Sequence, residues 1–225
     1  MIIRTKDFKN KVALSSSRIK TFKHCSQKYY ASYFLKLPDD GNSGSLRGST
    51  CHDILELLSK VRRKPLVDKV ITDNTCKNSP GLWKFVTATA KKYKVDDQEN
   101  IDLIDKFLVT ALNCDFWGPP GTIHTYIEKD FDLEIEGDGI NCRVRGFIDR
   151  FHIVREGKIL YIYGADYKSS KQKLNEEDLM FGQAAMYQLA LSILYPLIEL
   201  KDFRFIFLKF PKDPYQVFEV LSKEA

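Results

Sequence analysis

The stretch Gly146-Phe147-Ile148-Asp149-Arg150, followed after a hairpin-length gap by Asp166-Tyr167-Lys168 at the end of the apolar run 159–165, decides how this chain is read. Asp166 and Lys168 stand at i and i+2. On an extended strand they share one face, roughly 7 Å apart along the chain, while Tyr167 points the other way and leaves its backbone carbonyl near the carboxylates. Two carboxylates and a lysine from neighbouring strands suit Mg²⁺ or Mn²⁺, ions that keep several waters and take the rest of their shell from a phosphate. An ion held there would lower the pKa of a bound water and polarise a phosphoryl oxygen, and Lys168 would orient that water and offset developing charge. Taken alone the tripeptide is common, and its ordinary explanation is a surface ion pair worth about 0 to 1 kcal/mol.

Outward from this stretch, alternation and β-branched runs from Thr122 onward predict three strands in succession, turned at Gly137-Asp138-Gly139 and at Glu156-Gly157. A helix is expected from Asp178 to Tyr195, stopped by Pro196, and then strands over Phe203–Phe210 and Gln216–Leu221. Upstream, Ser15-Ser16-Ser17 offers helix caps, and Ile19, Phe22, Cys25, Tyr29 and Tyr33 recur at helical spacing, which predicts one helix ending before Pro38. Residues 38–47 read as a loop rich in turn formers, Cys51–Val61 as a second amphipathic helix, and Leu82–Trp117 as helical with an interruption around 94–99. The expectation is one α/β domain over 1–225, mainly helical over 1–120, with its sheet core in 121–225.

The 225 residues are enough for one sizeable core, and 44% hydrophobic with 29% charged residues describes an ordinary globular composition. A net charge of +5 permits a polyanionic partner without demanding one. Cys25, Cys51, Cys76, Cys114 and Cys142 are odd in number, widely spaced and without a C-x-x-C pair, which argues for reduced thiols rather than a disulfide framework or a zinc site. No apolar run is long enough to cross a bilayer and no signal peptide is evident, so no membrane partner and a cytoplasmic location are expected.

His52 falls one turn into its expected helix, opposite an apolar side of Ile54, Leu55, Leu57, Leu58 and Val61, so its imidazole is free to project toward a site. By itself such a histidine is more often a surface or satisfied core residue. Gln183 and Tyr187 stand at i and i+4 on one helix face. A glutamine that bonds phosphate or sugar and a tyrosine that bonds or stacks suit tracking of a nucleic-acid backbone, and an ordinary interfacial helix face explains the pair equally well. Tyr29, Tyr30, Tyr33 and Phe34 read as a core stripe, and His24, His124 and His152 as structural. The lysine-rich run 168–173 reads either as a phosphate-holding segment or as a solvated loop.

In order along the chain, Ser15-x-Ser17-x-Ile19 leads to Cys25 and Tyr29-Tyr30. Gly48-x-x-x-His52, Gly146-x-x-Asp149-Arg150, Asp166-Tyr167-Lys168 and Gln183-x-x-x-Tyr187 follow. Together these resemble the PD-(D/E)xK nuclease superfamily, in its RecB-like branch, which includes the CRISPR adaptation nucleases and the nuclease domains of bacterial recombination helicases. The resemblance implies a restriction-endonuclease-like α/β fold, a mixed sheet flanked by helices with a helical N-terminal portion. It implies that His52, Asp149, Asp166 and the Tyr167 carbonyl ligate Mg²⁺ or Mn²⁺, that Asp149, Asp166 and Lys168 are catalytic, and that Gln183 and Tyr187 line the nucleic-acid path. Members with an iron–sulfur cluster pair a cysteine at the Cys25 position with three near the C-terminus. Here no cysteine follows Cys142, and Ser26 stands where proline is usual, so no cluster is expected.

The resemblance implies a DNA exonuclease acting on ends or single strands in recombination, repair or replication of a bacterial or phage genome, working in the host cytoplasm. A helicase, recombinase or single-strand-binding protein is the expected partner, and a homo-oligomer is compatible with the sequence. Two alternatives stay open: a catalytically silent nucleic-acid-binding subunit, and an RNA-cleaving nuclease.

Overall fold

The computed structural model describes residues 2–4, 13–38, 41–137 and 140–220. After the short strands β1 (Ile2–Arg4) and β2 (Ala13–Leu14) come the helices α1 (Ser16–His24), α2 (Ser26–Tyr33), α3 (Ser43–Val61), α4 (Lys64–Asp73), α5 (Pro80–Lys92) and α6 (Gln98–Leu112). The strands β3 (Thr122–Gly137), β4 (Ile140–Glu156) and β5 (Ile159–Lys168), the helices α7 (Glu176–Phe181) and α8 (Gln183–Leu194), and the strands β6 (Glu199–Phe207) and β7 (Tyr215–Phe218) complete the order. The result is a mixed sheet flanked by helices, the restriction-endonuclease-like α/β architecture expected.

The sheet runs β1-β3-β4-β5-β6-β7, with β2 also against β4. β3, β4 and β5 pair antiparallel, as hairpin connections allow, whereas β5 and β6 are parallel. A parallel pair needs a crossover, and α7 with α8 supplies it. β4 divides its second edge: Arg143 and Val144 pair with β2, and Arg150 to Glu156 pair with β5. Between these segments, among the described residues, Arg145 to Asp149 have no strand partner on that edge. The opening sits in the middle of the sheet.

Helices α3 to α6 bury Ile54, Leu58, Val70, Val86, Ile104 and Leu108 together, and Ala165, Tyr167 and Ile206 join them from one face of the sheet. On the other face Phe131, Ile148, Phe151, Phe203, Phe205 and Phe207 pack with Ala184, Ala190 and Leu191 of α8. Each apolar layer spans the sheet and a helix set, so neither half buries its apolar surface alone.

Several boundaries differ from the sequence expectation. The first helix is two, because Cys25 is extended (φ −159°) and its thiol caps α2 by accepting from Lys28 N–H. The loop assigned to 38–47 ends early: Asn42 caps α3 through a reciprocal capping box with Ser45, so the helix begins at Ser43 rather than near Cys51. Ser43 and Ser45 are exposed, so it is this cap, and not packing, that holds the turn-forming residues of the first turn in the helix. The helix expected over 178–195 is broken at Gly182 into α7 and α8. The last two strands end at Phe207 and Phe218, while Asp138 and Gly139 of one expected turn and Leu221 lie outside the described residues. The aromatic stripe is not core: α1 and α2 bury no residue, and Phe22, Tyr30 and Phe34 are more than half exposed. Their rings instead pack on each other, Phe22 edge-on to Tyr29 at 5.4 Å and Tyr30 stacked on Phe34 at 5.5 Å.

Candidate active site

Arg150 and Ala165 form the last β4–β5 pair on the side of the opening, so Asp149 and Asp166 stand next to each other where the two strands part. Asp166 is 1% exposed and Asp149 9% exposed. Asp149 Oδ2 accepts the Tyr167 backbone N–H at 2.9 Å, which ties the end of β5 to the carboxylate of β4. Lys168 Nζ lies 2.5 Å from Asp166 Oδ2 and donates to Gln183 Oε1 at 2.6 Å. Gln183 Nε2 donates to the Tyr187 hydroxyl, which donates in turn to Asp166 Oδ1 at 3.3 Å. Asp166, Lys168, Gln183 and Tyr187 therefore close a ring of polar contacts that fixes the lysine and one carboxylate.

His52 reaches the centre from α3. Its Nδ1 is 3.6 Å from Asp149 Oδ2 and 3.4 Å from Glu128 Oε1. Two signature glycines explain the close assembly. A Cβ at Gly48, one turn before His52, would come within 2.8 Å of Ser169 Oγ just past β5, and one at Gly146 would lie 2.8 Å from the Phe131 ring. A side chain at either position would have to displace the Ser169 hydroxyl or the Phe131 ring.

The electrostatics match this crowding. Burial, and next the neighbouring Asp166, push the Asp149 carboxyl above its ordinary range. Burial alone would lower the His52 pKa, but Asp149, Glu128 and Asp166 outweigh it and the imidazole is raised. Burial, with Asp166 and Asp149 next, holds the Tyr187 hydroxyl in its protonated form well above its usual value. Acidic groups that repel one another beside an imidazole form a donor set a dication would satisfy, and His52, Glu128 and Asp149 place one donor atom each within 4.8 Å of one another. The residues present fit a divalent ion.

The structure thus brings His52, Asp149, Asp166, Tyr167, Lys168, Gln183 and Tyr187 to one place. Tyr187, on α8, is 3% exposed though it borders the groove, so of its two expected ways of meeting nucleic acid stacking is closed and its hydroxyl remains. Glu128 was missed by sequence reasoning. It is one of many acidic residues on an alternating strand, and its one distinguishing trait, a backbone φ of +46°, is not written in the local sequence.

A groove of about 1120 Å³ leads to the centre. Arg145 and Phe147 of β4, Ser15, Ser17 and Arg18 at the start of α1, and Gln183 line it. α1 crosses to α7 through Lys23–Glu177 at 2.9 Å and Lys20–Asp178 at 4.0 Å. Among the described residues no helix is long and apolar enough to cross a membrane.

No curated protein matches the chain at a significant level. The family model of the PD-(D/E)XK nuclease superfamily matches residues 13–214, a span that contains every residue of the centre. The chain belongs to the PD-(D/E)XK nuclease superfamily, whose members are metal-dependent nucleases.

Proposed function

We propose that the chain is a deoxyribonuclease of the RecB-like kind that degrades DNA from its ends. The observation that carries the reading is the convergence of Asp149, Asp166 and Lys168 at the fork of β4 and β5, against a groove lined by cationic, hydroxyl and acidic side chains. His52, Asp149, Asp166 and the Tyr167 carbonyl would hold Mg²⁺ or Mn²⁺. A bound ion supplies a polarised phosphoryl oxygen and a water of lowered pKa.

The chain's own residues do the positioning. Lys168, held by Asp166 and Gln183, offers a fixed positive charge to the attacking water and to the charge that builds on the phosphate. Tyr187 keeps Asp166 oriented through its hydroxyl. Ser15, Ser17, Arg18 and Arg145 line the groove beside Asp130, Asp132, Glu177 and Asp178 and would bond phosphates, which positions a strand without reading its sequence. Action at ends follows from the RecB-like resemblance; the α1–α7 ion pairs Lys23–Glu177 and Lys20–Asp178 are exposed and too weak to bar a strand without an end. A helicase, recombinase or single-strand-binding protein would deliver such ends.

The test is purified protein incubated with end-labelled linear and with circular DNA, with and without Mg²⁺ or Mn²⁺. Metal-dependent loss of linear DNA with circular DNA spared is expected. Cleavage of circles at the same rate would make the enzyme an endonuclease, and cleavage of RNA in preference to DNA would replace the substrate assignment.

A further inference from the structure

We propose that Glu128 is a cation ligand, and that with His52 and Asp149 it forms a three-donor position for a divalent ion on the α3 side of the centre. The proposal rests on the reading of the chain as a metal-dependent nuclease and adds one residue to its ligand set.

The geometry of the ring nitrogen carries it. A metal-bound histidine commonly presents one nitrogen to the ion and the other to a carboxylate behind the ring. Here a single nitrogen, Nδ1, faces both carboxylates, Asp149 at 3.6 Å and Glu128 at 3.4 Å. Glu128 therefore lies on the same side of the imidazole as Asp149, where an ion would sit, and not behind it. An ion bound at about 2.1 Å to two neighbouring donors keeps them about 3 Å apart, so Glu128 and Asp149 would each close on Nδ1 by roughly half an ångström, from a set already within 4.8 Å of one another. A cavity of about 10 Å³ lies against His52, Glu128 and Asp149, room for one water-sized occupant.

The strands explain how a β3 carboxylate comes to face α3. On β3 the side chains toward α8 are Tyr126 before Glu128 and Phe131 and Leu133 after it. On β4 they are Val144 and Ile148 before Asp149 and Phe151 and Ile153 after it. Both alternations slip by one residue at the same level of the hairpin, where Ile127 pairs with Arg150 and Lys129 with Ile148. The φ of +46° at Glu128 is part of that slip. One nitrogen and two carboxylates make a site that accepts Mn²⁺ more readily than Mg²⁺, because imidazole is a better ligand for the softer ion.

The test uses the full chain stripped of metal by chelator. Mn²⁺ alone is titrated and followed by electron paramagnetic resonance, and Cd²⁺ alone by ultraviolet absorbance. Glu128→Gln is expected to weaken Mn²⁺ binding by about tenfold or more, with the melting temperature little changed. Glu128→Cys is expected to lose Mn²⁺ affinity and to gain a thiolate-to-cadmium charge-transfer band in excess of any that the wild-type protein's five cysteines give. Glu128→Gly relaxes the left-handed backbone and removes the carboxylate. A raised melting temperature with weakened Mn²⁺ binding excludes misfolding as the cause of lost affinity. Wild-type Mn²⁺ affinity in Glu128→Gln overturns the proposal, as does Glu128→Cys without that excess cadmium band, which would leave Glu128 as a hydrogen-bond partner of His52. In either case wild-type cleavage leaves the nuclease reading standing, whereas wild-type protein that neither binds Mn²⁺ nor cuts DNA overturns both.

Discussion

Asp166 and Lys168 hold each other in place, yet their loss should register differently. Asp166→Ala removes a buried carboxylate that faces Asp149, so both Mn²⁺ binding and cleavage should fall. Lys168→Ala leaves Asp166 held by the Tyr187 hydroxyl, so Mn²⁺ binding should persist while cleavage drops by about 100-fold or more. Calorimetric Mn²⁺ titration beside a single-turnover cleavage assay separates the two, and full activity in either variant would refute the catalytic assignment. His152 is set by its surroundings in another way. It is buried with Nδ1 2.9 Å from the Thr125 hydroxyl, and burial first, then the Arg150 guanidinium, push its pKa down to about 3 from 6.5. Below pH 6.5 the unfolded chain takes up a proton that the folded chain refuses. Stability present above that pH is therefore lost as the pH falls toward 3, by up to about 1.4 kcal/mol per pH unit. His152→Asn removes this dependence, so urea midpoints measured between about pH 7 and pH 5 should fall less in the variant than in the wild-type protein. Parallel slopes would show that His152 is protonated in the folded state.

At the scale of the element, β4 is the strand on which the centre depends, and Arg150 locks it. The Arg150 guanidinium donates to the carbonyls of Cys114 and Phe116, each at 3.1 Å, and lies over the Tyr167 ring at 5.1 Å from its centroid. One side chain thus ties β4, β5 and the turn after α6 directly beside Asp149. Arg150→Met keeps much of the volume but leaves two buried carbonyls unpaired, at a cost of about 1 to 3 kcal/mol each, offset in part by relief from burying a charge. A net loss of about 2 kcal/mol in urea unfolding is expected, with weaker cleavage at temperatures where the variant is still folded. An unchanged midpoint would mean that the turn carbonyls find water instead.

At the scale of the whole molecule, both tryptophans, Trp83 and Trp117, belong to the helical layer, whose core also takes in Ala165 and Tyr167 of the sheet. Unfolding followed by tryptophan fluorescence should therefore coincide with unfolding followed by far-ultraviolet circular dichroism, because the helical layer has no core without the sheet. Separate transitions would divide the chain near residue 120 into two units. The sequence by itself determined the strand that carries Asp166 and Lys168, since the i, i+2 rule is local, and it determined the chemistry of His52, Asp149 and Gln183, since residue type sets what a side chain can donate or ligate. It also placed the turn at Gly157 and the interruption between α5 and α6, where the turn formers and the broken periodicity are local signals. Only the tertiary structure decided that Glu128 faces His52 across 76 residues, that the Tyr187 ring is buried, and that the aromatics of α1 and α2 are not. Each of these depends on which face of an element meets which neighbour, and a one-residue slip in β3 and β4 turns a side chain from one face to the other without any mark in the hydrophobic pattern.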